Sequence, residues 1–69
     1  MSKEAYIVRY RELIKAYFND GTEQGRIAKY ARMQEAEYIL ENILNVSHDA
    51  VRDIYNEEYR RSREEEKHG

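Results

Sequence analysis

The spacing of large apolar residues near the start of the chain is the feature that most restricts its fold. They recur at the three- and four-residue intervals of one helix face: Tyr6, Ile7, Tyr10, Leu13, Ile14, Tyr17 and Phe18. The opposite face is polar: Glu4, Arg11, Lys15 and Asn19. Ser2 is a suitable N-cap, and Gly21 a suitable left-handed exit. We expect a first helix over about residues 3–19.

The next segment predicts a second helix over about residues 22–44, with Thr22 as N-cap and Asn45 in the left-handed conformation after it. Its apolar residues fall on two opposite sides. One side carries Ile27, Tyr30, Ala31 and Tyr38, and the other carries Met33, Ala36, Leu40, Ile43 and Leu44. Because residues 31–36 are good helix formers, we expect an unbroken helix. Its two faces would contact the first helix and either the third helix or a second subunit.

A third helix is predicted over about residues 48–64. Ser47 is its N-cap, and Val46 and Val51 have the spacing of a hydrophobic staple. Its apolar stripe is Val51, Ile54, Tyr55 and Tyr59. Residues 60–69 form a charged tail that we expect to fray. The chain has no proline and no sustained strand alternation, so the prediction is one all-α, three-helix domain over residues 1–69.

Size and composition restrict the setting in which such a domain works. At 69 residues the chain can bury only a small core, which favours dimerisation or partner binding. It has no cysteine, so no disulfide or thiolate metal site is possible. No apolar run approaches the roughly 18 residues that span a bilayer, and no signal-peptide core is visible. We expect a cytoplasmic protein, in the host cytoplasm if it is viral, without membrane contact.

Leu44-Asn45-Val46-Ser47 is similar to the turn of the helix-turn-helix in phage and bacterial repressors, and the resemblance extends over residues 36–56. The resemblance implies a dimeric DNA-binding transcriptional regulator, in which Ser47, His48, Arg52 and Asn56 would contact DNA. Asp49 and Asp53 would lie on the same surface. The chain departs from the motif at Glu41, where a small alanine is usual, and in the length of the preceding helix.

The charge distribution favours a protein target over DNA. The net charge is −2, and residues 34–58 hold seven acidic groups against one basic group, Arg52. DNA binding depends on Lys and Arg that neutralise phosphates, so an acidic reading helix opposes it. Basic residues do recur on the second helix, at Arg26, Lys29 and Arg32. They could touch nucleic acid or an acidic protein, or they form an ordinary solvated face.

The abundance of tyrosine points to an interaction surface. Seven tyrosines are present, and tyrosine is enriched at protein interfaces. The residues that we expect to form the interface are Ile27, Tyr30, Ala31, Tyr38 and Glu41. The leading hypothesis is a small regulatory or inhibitory protein, typical of phages and mobile elements, that acts by protein–protein contact as a homodimer. Its partner would be basic or nucleic-acid-binding. The alternatives are the DNA-binding regulator and a structural helical assembly unit.

Catalysis finds little support in the residue pattern. His48 starts a helix, and His68 lies in the charged tail, without carboxylates or nucleophiles at catalytic spacing. The run Glu64-Glu65-Glu66 indicates a solvated helix face, because consecutive helical residues point about 100° apart. We therefore expect no enzyme, no catalytic residues, no cofactor, no metal and no small-molecule substrate.

Overall fold

A computed structural model describes residues 2–68, with side chains described for residues 2–65. Within this range the chain forms three helices: α1 (Lys3–Asn19), α2 (Glu23–Asn42) and α3 (His48–His68). It contains no strand over residues 2–68. The predicted all-α three-helix fold is confirmed, and α2 is unbroken through residues 32–35, as expected from its helix-forming sequence.

Each helix begins at the polar residue that the sequence predicts. The Ser2 hydroxyl accepts a hydrogen bond from the Ala5 N–H at 3.1 Å, and the Thr22 hydroxyl accepts one from the Gly25 N–H at 3.1 Å. At α3 the Ser47 hydroxyl accepts from the Ala50 N–H at 3.1 Å. These bonds satisfy backbone donors that the first turn of a helix leaves unpaired.

The predicted left-handed exit at Gly21 is wrong. The chain leaves α1 through Asp20, whose backbone is extended at φ −81°, and Gly21 has no positive φ. The Asp20 carboxylate accepts hydrogen bonds from the N–H and the hydroxyl of Thr22, at 2.8 and 2.7 Å, and pairs with Lys29. A side-chain carboxylate thus organises this turn, so a left-handed glycine is unnecessary.

The second turn is built as predicted, around a left-handed residue. Asn45 has φ 59° and is the one residue with positive φ in the described part of the chain. The Val46 N–H donates to the Leu40 carbonyl at 2.8 Å, which closes the end of α2. α2 itself ends at Asn42, two residues before the predicted end, while α3 extends four residues beyond residue 64. Fraying of residues 60–69 stays a prediction.

The core lies where the three helices meet. Its buried apolar side chains are Tyr6, Tyr10, Ile14, Met33, Ala36, Leu40, Val51 and Ile54. Phe18 extends it towards α3, with its ring 5.8 Å from that of Tyr55 and 5.6 Å from that of Tyr59. α1 contacts both other helices more extensively than α2 and α3 contact each other. Ile43, expected on the buried side of α2, is the C-cap of this helix and is 62% exposed, because it lies beyond Leu40, the last residue of α2 that the core buries.

Candidate protein-docking surface

The side of α2 that faces away from the core carries an uninterrupted row of residues at heptad-like spacing. We call this row the outer face: Ile27, Ala31, Gln34 and Tyr38. At 3.6 residues per turn it points about 160° away from the buried face and runs for about 16 Å along the helix axis. All four residues are exposed, and Ile27 and Tyr38 are 65% and 63% exposed. This row therefore contributes little to the core.

Tyr30 borders the outer face on the side that leads to α1. Its ring centroid lies 5.9 Å from that of Tyr17, so a contact with the first helix orients the ring, while the residue stays 46% exposed. Tyr30 and Ile27 share an open groove of about 380 Å³ with Tyr17, Glu23 and Arg26. A partner side chain that packs on Ile27 can enter this groove without rearranging the helix.

Glu41 borders the outer face at its C-terminal end. Its carboxylate lies 3.1 Å from Nδ1 of His48, across the corner between α2 and α3. The Glu41 side chain is 28% exposed and that of His48 is 64% exposed. Glu41, the residue that departs from the helix-turn-helix pattern, thus pairs with His48 where α2 and α3 meet. Of the five residues expected at the interface, the structure leaves Ile27, Tyr30, Ala31 and Tyr38 exposed, while Glu41 is half-buried beside His48.

Charge is segregated along α2. Residues 23–32 hold three basic groups and one acidic group, whereas residues 33–42 hold three acidic groups and no basic one. Lys29 of the basic half pairs with Asp20, which leaves Arg26 and Arg32 exposed on this half. The ion pair and the hydrogen bonds from Thr22 hold the pKa of the Asp20 carboxyl well below its usual value.

A second groove, of about 230 Å³, separates α2 from α3 and is lined by Tyr10, Tyr30, Glu37, His48, Val51, Arg52, Tyr55 and Asn56. At its base the Tyr10 hydroxyl donates a hydrogen bond to a Glu37 carboxylate oxygen at 2.6 Å. Burial and this carboxylate raise the pKa of Tyr10 well above its usual value. Burial also raises the pKa of Tyr55. Glu37 and Arg52 thus place one acidic and one basic side chain in this groove.

The residues that the repressor resemblance assigns to DNA contact lie together at the start of α3. Ser47, His48, Arg52 and Asn56 are all exposed, although the hydroxyl of Ser47 is used by the helix cap. Asp49 and Asp53 are also exposed on this helix, so the surface carries two carboxylates beside one arginine. DNA contact at this surface stays a prediction.

One ionic cluster between α1 and α3 has no counterpart in the sequence prediction. Arg11 donates to Glu57 at 2.8 Å and lies 3.4 Å from Glu58, which also lies 3.3 Å from Arg61. Glu58 is buried, at 2% exposure. The Arg11 pairing lowers the pKa of Glu57, and its hydrogen bond to Glu57 raises the pKa of Arg11. The spacing Val51-Ile54-Glu58 continues the buried stripe and could have indicated this burial.

The described residues also bear on metal binding and membrane insertion. Among residues 2–65 no group of three or more His, Cys, Asp or Glu side chains lies close enough together to hold a metal ion. No helix in the described part of the chain combines the length and the apolar character needed to cross a membrane. The outer face of α2, which is apolar except for Gln34, and its charged borders form the candidate docking surface.

Comparison with known proteins gives no relative: no family model, no curated protein and no solved structure matches this chain.

Proposed function

We propose that the protein is a small cytoplasmic binding protein that regulates or inhibits a basic protein partner by occupying part of its surface with the outer face of α2. The observation that carries this proposal is the exposure of Ile27 and Tyr38, 65% and 63%, on the side of a regular helix directed away from the core. Burying one such side chain against a partner contributes about 1.5–3 kcal/mol.

The charges around the outer face favour a basic partner. Glu35, Glu37 and Glu41 surround its C-terminal half, and the adjacent start of α3 adds Asp49 and Asp53. Opposite charge on a partner would speed the encounter and fix the orientation of docking, while the apolar contacts would supply most of the affinity. A nucleic-acid-binding protein is one class of basic target, because occupation of its binding site would inhibit it directly.

The surface is held in place before any partner arrives. The Tyr17 ring orients Tyr30, and His48 pairs with Glu41. α2 itself is capped at Thr22 and closed at its C-terminal end by the hydrogen bond to the Leu40 carbonyl. A pre-formed surface loses less conformational entropy on binding than a flexible one. This supports a docking role for α2 as a rigid element.

Duplex DNA is the second candidate partner, supported by the turn at Asn45 and by the exposure of His48, Arg52 and Asn56 next to it. Its affinity would depend on Arg52 with little other basic support. The acidic neighbours make this the weaker of the two candidates.

Photo-crosslinking in the cells that naturally contain the protein tests the docking proposal. A photoreactive residue replaces Ala31 in the outer face or, as a matched control, Val8 of α1, which is 58% exposed. We expect a basic protein to be captured from position 31 and not from position 8. The purified target should then bind the protein in a salt-sensitive manner, and Ile27→Asp should abolish this binding. Equal capture from both positions would contradict the proposal.

A further inference from the structure

We propose that two copies of this chain pair through the outer faces of their α2 helices, in antiparallel orientation about a two-fold axis between residues 32 and 33. The inference rests on the proposed function in one respect: both make the outer face of α2 the contact surface. It adds a specific occupant. A second copy covers the outer face until a basic target displaces it, so self-pairing regulates access to the docking surface.

The row of residues on the outer face is complementary to itself when one helix is reversed. Ile27 and Tyr38 lie at equal distances on either side of the midpoint, as do Ala31 and Gln34. In the reversed pair, Ile27 packs on Tyr38 of the second copy, and Ala31 leaves room for Gln34 of the second copy. The alternating spacing of four, three and four residues is that of a coiled-coil seam, which allows close packing of two helices.

Charge segregation along α2 selects the antiparallel orientation. The basic half of one helix lies alongside the acidic half of the other, and the long side chain of Arg32, whose backbone lies about 130° from the outer face, can extend to Glu35 of the second copy. On the other border Arg26 approaches Glu41 of the second copy. A parallel, in-register pair would instead place basic against basic and acidic against acidic. The two helix dipoles also oppose each other favourably in the antiparallel pair.

The contact is small, which sets the expected affinity. A row about 16 Å long, with Tyr30 at its border, buries roughly 1,000 Å² in total, the lower end of specific interfaces. We therefore expect reversible pairing with a dissociation constant in roughly the micromolar range. Such a pair persists at high protein concentration and gives way to a tighter-binding target.

Sedimentation of charge-reversal variants tests the pairing and its orientation together. Arg32 and Glu35 are both exposed, so the folded helix tolerates changes there. We expect Arg32→Glu and Glu35→Arg each to weaken self-association at least fivefold, and the double variant, which has the wild-type net charge, to restore it. The two single substitutions change the net charge in opposite directions. Weaker self-association in both single variants therefore cannot come from repulsion between net charges.

Disulfide trapping gives a second measurement that does not depend on charge. The chain lacks cysteine, so Ile27→Cys and Tyr38→Cys can be introduced singly and mixed. The antiparallel pair predicts a mixed disulfide between the two variants, and little Ile27→Cys homodimer, because the two copies of residue 27 lie about 16 Å apart along the axis. Preferential Ile27→Cys homodimers would overturn the orientation.

Failure of this inference can be distinguished from failure of the docking proposal. A wild-type protein that sediments as a monomer at millimolar concentration overturns the pairing, while capture from position 31 would still support a docking partner. Self-association that survives Arg32→Glu and Glu35→Arg also overturns it, because the contact would then lie elsewhere.

Discussion

The hydroxyl of Tyr10 in α1 donates a 2.6 Å hydrogen bond to the carboxylate of Glu37 in α2. Tyr10 is completely buried, whereas Glu37 lies at the edge of the acidic surface. The bond therefore connects the innermost aromatic ring of the core to the helix that carries the outer face. Together with the buried side chains of Met33, Ala36 and Leu40, the bond supports the rotation of α2 that directs the outer face away from the core.

Tyr10→Phe should lower the free energy of unfolding by about 1 kcal/mol, because it removes this hydrogen bond but leaves the ring in the core. Urea unfolding followed by circular dichroism measures the change. Tyr38→Phe is the matched control, since Tyr38 is 63% exposed, and it should have no measurable effect. Equal effects of the two substitutions would show that the bond to Glu37 contributes nothing.

The ionised carboxylate of Asp20 should make the free energy of unfolding depend on pH in the acidic range. The pKa of Asp20 is lower in the folded chain than its ordinary value of 3.8, so its stabilising contribution is complete above that value. The contribution is lost progressively as the pH falls through 3.8 towards the lower folded pKa. Asp20→Asn should make the decline of the unfolding midpoint below about pH 5 shallower. Asp53→Asn, at an exposed position, is the control. If the midpoint of Asp20→Asn declines with pH as steeply as that of this control, the prediction is contradicted.

The Arg11–Glu58 contact should respond asymmetrically to substitution. Arg11→Met leaves the Glu58 carboxylate, whose side chain is 1% exposed, with only Arg61, which is 60% exposed. Glu58→Met leaves Arg11 partly solvated and still paired with Glu57. We expect Arg11→Met to cost about 3 kcal/mol and Glu58→Met distinctly less, because an uncompensated buried charge is the expensive outcome. Urea unfolding of the two single variants and of the double variant measures both losses in the free energy of unfolding. A larger loss for Glu58→Met than for Arg11→Met would refute this account.

Asn45 should accept glycine but not alanine. Its φ of 59° lies in the left-handed region, which costs alanine roughly 1–2 kcal/mol and glycine nothing. We expect Asn45→Gly to match or exceed the wild-type thermal midpoint and Asn45→Ala to lower it. If alanine and glycine behave alike, the turn has a different conformation in solution.

Duplex DNA should not bind at the corner between α2 and α3. With Asp49 and Asp53 exposed beside Arg52, phosphate contacts lack basic support. In a mobility-shift assay with the DNA upstream of the protein's own gene, we expect no salt-sensitive complex at about 10 µM protein. A complex that Arg52→Ala abolishes would instead favour the repressor hypothesis.

Local sequence signals were sufficient to predict the helices. Ser2, Thr22 and Ser47 cap helices through bonds to their own first turns, and such contacts depend on neighbours in sequence alone. Asn45 was predictable for the same reason. At Gly21 the turn depends on two contacts of Asp20. The contact with Thr22 is local and could have indicated the turn, whereas the ion pair with Lys29 in the following helix could not be read from neighbouring residues.

The burial of Glu58 follows the periodicity of α3, but the contribution of Arg11 to the ionic cluster does not follow from the periodicity of α1. Arg11 was assigned to the solvent side of the first helix, yet it contacts Glu57 and Glu58. A long side chain can bend towards a charge on a neighbouring helix, and its direction depends on tertiary packing rather than on its own helix. The two apolar stripes on α2 leave two outcomes open for the outer face, a contact with the third helix or with a second subunit, and the structure shows that α3 does not cover it.

The unequal attachment of the three helices has a kinetic consequence. Since α3 is held chiefly by α1 and α2 also packs mainly on α1, α1 and α2 can remain together while α3 swings away at the corner. Amide protons of α3 should then exchange with solvent faster than those at the centres of α1 and α2, through partial opening rather than complete unfolding. We therefore expect α3 to be the first helix to separate from the fold on opening and the last to pack on refolding.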